Sequence, residues 1–109
     1  MRLVMSIVQS DDAGHLVDTL VAKGHRVTRI ETAGGFLKQR NATILLGVED
    51  EQTNTVLGII EANCNTRLQL MSPAFAGSEV VDFAALGPIE VQVGGATAWV
   101  FDVDQVVRL

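Results

Sequence analysis

A chain of 109 residues, 48% of them hydrophobic, is sized for one domain built on one core, residues 1–109. A net charge of −5 argues against a surface that tracks nucleic-acid backbones. The lack of any apolar run of about 18 residues argues against a membrane-spanning helix or membrane insertion.

Leu3 to Val8 is short, apolar on both faces and partly β-branched, which reads as a buried strand. The preceding residues are too few for a signal peptide, so a cytoplasmic protein is expected. Ser10, Asp11 and Asp12 supply helix-capping oxygens and first-turn acids. Ala13, Leu16, Val17, Leu20 and Val21 then follow at the spacing of one helix face, with Gly24 as the C-cap. His15 lies off that stripe and reads as a surface residue. A second strand is expected over Arg26–Ala33, with Arg26 and Thr28 on one face. Val27 and Ile30 have opposite parity there, which calls for a twist, a bulge or a two-sided environment.

Thr32-Ala33-Gly34-Gly35-Phe36-Leu37-Lys38-Gln39-Arg40-Asn41 is the stretch around which the chain is organised. Adjacent glycines allow positive φ and close approach of a ligand. Phe36 offers a flat apolar face, and Lys38 and Arg40 offer positive charge. From Lys23 to Arg40 five cations face one acid, Glu31, so this segment is +4 and the rest of the chain −9. Such a distribution marks a local anion site, or else a solvated hairpin face. A flat base carrying phosphates would use all of these properties, whereas a plain turn would use only the glycines.

Ala42 to Glu49 is the third strand, with Ile44, Leu45, Leu46 and Val48 apolar on both sides. A small antiparallel sheet with one helical face normally leaves the other face wet, so a two-sided apolar strand points to a second subunit. Glu49-Asp50-Glu51 caps a second helix carrying Thr53, Val56, Leu57, Ile60 and Cys64 at helical spacing. Cys64, the single cysteine, can form neither an intramolecular disulfide nor a cysteine metal cluster and reads as a small buried hydrophobe. From Arg67 to Pro88 the periodicity dissolves, and a long flexible loop is expected at about 66–88. Ile89, Val91 and Val93 alternate with polar residues as a half-buried strand. Gly94-Gly95 then reads as a tight hairpin turn into a last strand with Trp99, Phe101 and Val103. The order is that of an α+β, ferredoxin-like βαββαβ fold with an extra C-terminal strand.

Catalytic patterns are thin. His15 and His25 are not placed as a metal pair, and the chain has no nucleophile elbow, P-loop or HExxH. Asp102 and Asp104 lie two apart and read as acids that keep a strand edge soluble rather than as a carboxylate pair. Binding is therefore expected rather than catalysis, with no metal and no cofactor.

The residues Ile7-Val8-Gln9, Arg26-Val27-Thr28, Thr32-Ala33-Gly34-Gly35-Phe36-Leu37, Asn41-Ala42-Thr43, Gly47-Val48-Glu49-Asp50, Ser72-Pro73 and Glu90-Val91-Gln92-Val93-Gly94-Gly95-Ala96-Thr97 together resemble the PII-like cyclic di-AMP receptor family of signal transduction proteins over essentially the whole chain. The resemblance implies a PII-like homotrimer that binds cyclic di-AMP in clefts between subunits and signals to a downstream protein partner. By that likeness Arg26 and Thr28 face phosphate and base. Gly35, Phe36 and Leu37 wrap an adenine, Asn41 hydrogen-bonds the ligand, and Gly47 admits it close to the strand. Trp99 walls the pocket. Arg108 stands where the family often has a glutamine that reaches the ligand, and Gly24 where an amide is common. The stretch 75–88 lacks the tyrosine and proline content of the family. These departures leave room for ATP, ADP or another adenine nucleotide as ligand, and a structural or metal-tolerance trimer is the reading from a different class.

Overall fold

The first apolar run becomes β1 (Arg2–Gln9), an inner strand of a four-stranded antiparallel sheet in a computed structural model that describes residues 1–32, 40–71 and 89–109. The chain continues through α1 (Ser10–Ala22), β2 (Thr28–Thr32), β3 (Asn41–Val48), a 3₁₀ turn at Asp50–Gln52, α2 (Thr53–Cys64), β4 (Arg67–Met71), β5 (Ile89–Val93) and β6 (Ala96–Asp102). The sheet order is β2-β3-β1-β6, while β4 and β5 pair only with each other. Both helices contact β1, with α1 also on β3 and α2 also on β6. This is the ferredoxin-like plan, with β6 as its closing strand.

Every second residue of β1 and β3 faces the helices. Val4, Val8, Ala42, Ile44, Leu46 and Val48 are buried there against Ala13, Leu16 and Leu20 of α1 and Val56, Ile60 and Cys64 of α2. The expected α1 stripe holds except at its end, where Val21 is 54% exposed beside the buried Leu20. Gly24 ends this helix as expected. Its φ is +91°, its N–H donates to the Val21 carbonyl at 2.9 Å, and the His25 N–H reaches back to Leu20 at 3.1 Å, the two bonds of a Schellman cap.

Three expectations change. β2 starts at Thr28 rather than Arg26, so Val27 packs on the core from outside the strand while Ile30 faces away from the helices. Their opposite parity thus needs no bulge. The stretch expected as loop at 66–88 begins with β4, and 72–88 lies outside the described residues. Gly94 and Gly95 do not close a β5–β6 hairpin. β5 pairs with β4 and β6 with β1, so the added strands are the β4–β5 pair and not the C-terminal one. The two glycines, at φ +81° and +92°, swing the chain from one sheet to the other.

The two kinds of positive-φ glycine should respond differently to a methyl group. At Gly24 nothing lies near an added Cβ, so Gly24→Ala costs only the left-handed strain of about 1–2 kcal/mol. At Gly94 the added carbon runs into the Asn65 carbonyl. Urea unfolding is expected to show a clearly larger loss for Gly94→Ala than for Gly24→Ala.

Candidate functional site

The face of the sheet opposite the helices carries four of the candidate ligand residues, Thr28, Asn41, Gly47 and Trp99. Register places Trp99, Met5, Leu45 and Thr28 in one row across β6, β1, β3 and β2. Phe101, Leu3 and Gly47 form the next row on one side. On the other side come Thr97, Ile7, Thr43 and Ile30, and then Gln9, Asn41 and Thr32. This face is apolar and open, with Trp99 41%, Phe101 45%, Ile7 37% and Ile30 45% exposed.

Thr28, Gly47, Asn41 and Trp99 therefore share a face, but one chain does not gather them at one point. Thr28 and Gly47 are close diagonal neighbours, and Arg26 lies exposed just before β2 at the same corner. Asn41 begins β3, six residues from Gly47 and so about 20 Å away. Trp99 is three strand spacings from Thr28, about 14 Å. Arg108 is exposed in the tail beyond β6. Gly35, Phe36 and Leu37 lie outside the described residues. The expected pairing of Arg26 with Thr28 by strand parity does not apply, because Arg26 precedes the strand.

Asn41 faces a recess lined also by Gln9, Thr66, Gly94, Gly95 and Thr97. Gln9 is the register partner of Asn41, and its Oε1 accepts the Gly94 N–H at 2.7 Å. The Gly95 N–H donates to the Cys64 carbonyl, which fixes the same turn to the end of α2. On the helix side, Ser10 Oγ donates to Glu31 at 3.2 Å and the Ser10 N–H donates to the Arg40 carbonyl at 2.9 Å. Arg29 pairs with Glu31 on that side and so does not face the open surface.

Asp11 and Asp12 lie in the first turn of α1 as expected, but no side chain caps the helix, and Asp12 is only 7% exposed. Its carboxylate instead accepts two bonds from Arg67, from Nη2 at 2.8 Å and from Nη1 at 3.3 Å. These bonds raise the already basic guanidinium further. Sequence reasoning missed Gln9, Asp12 and Arg67. A signal for Asp12 was present, because it falls on one helical line with Leu16 and Leu20, and an acid on a buried stripe needs a cation.

Asp102 is the last residue of β6 and pairs with Arg2 at 3.5 Å, whereas Asp104 lies beyond the strand, so the two acids do not share a strand face. No three His, Cys, Asp or Glu side chains gather as a metal site among the described residues. No helix among them is long and apolar enough to cross a membrane.

Cys64 is buried, as expected. Burial, helped by the charge of Asp12, pushes its thiol from the ordinary 9.0 up to about 11. The unfolded chain therefore loses this proton first as pH rises. The thiol's contribution to stability is whole below pH 9 and is lost on the way to about pH 11. Iodoacetamide at pH 8 is expected to leave native Cys64 unlabelled and to label it rapidly in denaturant, as intact-mass spectrometry would read.

With this geometry in hand, comparison with known proteins is specific. The family model described as "Cyclic-di-AMP receptor" matches residues 1–109. The crystal structure of a functionally unknown protein from Pediococcus pentosaceus ATCC 25745 is similar at 40% identity, over 99% of this chain and 96% of that one, with a TM-score of 0.78. A family match over the full length places the chain in the cyclic-di-AMP receptor family.

Proposed function

We propose that the protein is a signal transduction receptor that binds cyclic di-AMP in clefts between the subunits of a PII-like homotrimer, in the cytoplasm. The full-length match to the cyclic-di-AMP receptor family carries this reading. The placement of the candidate residues supports it. Arg26, Thr28 and Gly47 sit at one edge of the open face and Trp99 at the opposite edge. A ligand touching both sets is held between the β2–β3 edge of one copy and the β6 edge or tail of another. Arg26 and Arg108 then meet phosphate, Thr28 and Asn41 hydrogen-bond the ligand, and Gly47 leaves room for it. Gly35, Phe36 and Leu37 close over an adenine, with Trp99 as a wall. The nucleotide acts as a regulator rather than as a cofactor, and a protein partner reads the bound state.

The open apolar face is the trimer contact in this reading. Trp99→Asp places a charge in its middle row. Sedimentation velocity is expected to show a trimer for the parent protein and a smaller species for the variant, with the far-ultraviolet circular dichroism kept. A parent protein that sediments as a monomer at every concentration would exclude an intersubunit site.

A thermal-shift series with cyclic di-AMP, cyclic di-GMP, ATP, ADP and AMP tests the ligand. A ligand held only by the native state at about 100 times its dissociation constant adds about 2.7 kcal/mol, which such a scan resolves. The shift is expected with cyclic di-AMP alone. Phe36→Ala is expected to weaken it by about 1–3 kcal/mol of binding, the value of one stacked base. A shift with ATP or ADP instead would keep the scaffold and change the ligand. No shift with any nucleotide would favour a structural trimer.

A further inference from the structure

Three side chains at the corner between β1 and α1 each grip a different segment, and none is used in the nucleotide reading above. Gln9 accepts the Gly94 N–H at 2.7 Å. Ser10 reaches both Glu31 and the Arg40 carbonyl, which lie on either side of residues 33–39. Asp12 takes the bidentate pair from Arg67, the first residue of β4. The corner thus touches the chain beside the candidate ligand stretch and both roots of the β4–β5 pair.

Gln9 is the member that meets the recess. It stands opposite Asn41 in the β1–β3 register, and the recess between them is also walled by Gly94 and Thr97. The Gly94 turn has little slack, since it lies at positive φ, abuts the Asn65 carbonyl and is followed by the Gly95 bond to Cys64. A shift of this turn must either break the Gln9 bond or carry the end of β1, and with it the neighbour of Asn41.

We infer that Gln9 is a positioning residue for the nucleotide site: by holding the Gly94 N–H it fixes the recess wall beside Asn41 and couples ligand binding to the root of the β4–β5 pair. The inference rests on the reading of the protein as a cyclic di-AMP receptor. Coupling of this kind is reciprocal, so ligand at Asn41 should steady the Gly94 turn as much as the turn steadies the ligand.

The test uses the full chain and reads two quantities, the dissociation constant for cyclic di-AMP by calorimetry and the hydrogen exchange of the Gly94 amide by nuclear magnetic resonance. In the parent protein, ligand is expected to slow Gly94 exchange. Gln9→Met removes the acceptor and is expected to speed Gly94 exchange without ligand and to weaken binding about tenfold. Gln9→Glu keeps an acceptor and is expected to keep Gly94 protected. A residue that served only global stability would raise exchange across the whole sheet and leave the ligand-induced change at Gly94 in place. Weaker binding in Gln9→Met with Gly94 still protected would overturn the inference, as would free exchange at Gly94 with binding unchanged. A parent protein that binds no cyclic di-AMP would overturn the receptor reading itself, and the parent titration alone shows that.

Discussion

A four-stranded sheet with both helices on one side leaves its other side uncovered by the described helices, and much of the molecule follows from that asymmetry. The helix side is closed by Val4, Val8, Ile44 and Leu46 against Leu16, Leu20, Val56 and Ile60. The open side is not polar in compensation. It carries Leu3, Met5, Ile7, Ile30, Leu45, Trp99 and Phe101. Aromatic side chains bury about 150–250 Å² each when covered, so Trp99 and Phe101 alone offer a large gain to whatever packs on them. Contiguous apolar surface of this kind marks an interaction site on a chain that is otherwise acidic.

The same face bears four of the candidate ligand residues, Thr28, Asn41, Gly47 and Trp99, so that in the proposed reading assembly and recognition are tied together. Thr28 and Trp99 lie in one row but at opposite edges, with Met5 and Leu45 between them. A small ligand cannot bridge that row inside one chain without lying on the apolar centre. In the proposed reading, contact with both residues arises where two copies bring unlike edges together. Any change that loosens the packing of the open face should therefore also alter the cleft.

Much of this was legible in the sequence because it depends on local pattern. The helix stripes through Leu16 and Leu20 and through Val56 and Ile60, the Gly24 cap and the two-sided apolar β3 all follow from spacing alone. Long-range pairing was not legible. Gly94-Gly95 satisfies the composition of a hairpin turn, yet its strands go to different partners, because Gly95 is anchored to Cys64 and β5 finds β4. β4 itself, Arg-Leu-Gln-Leu-Met, alternates polar and apolar residues as β5 does, but it runs straight into the non-periodic stretch and reads as part of it. Arg67 and Asp12 are 55 residues apart, and only the fold shows that they neutralise one another. Thr28, Gly47 and Trp99 became candidates only through family likeness, since nothing in their spacing says that they share a face.

The disposition of charge narrows what the site can select. Arg29 is tied to Glu31, Arg67 to Asp12, and Arg2 to Asp50 and Asp102. Those arginines serve the fold. Arg26, Arg40 and Arg108 are exposed, and no ion pair holds any of them among the described residues. In a chain of net charge −5, an approaching anion is repelled by the whole and attracted only locally, and uncommitted cations do not by themselves distinguish one anion from another. In the proposed reading selection comes from the base, through stacking and hydrogen bonds that a bare phosphate cannot make. This is why Phe36, Thr28 and Asn41 carry the discrimination in this reading and the arginines set only its orientation.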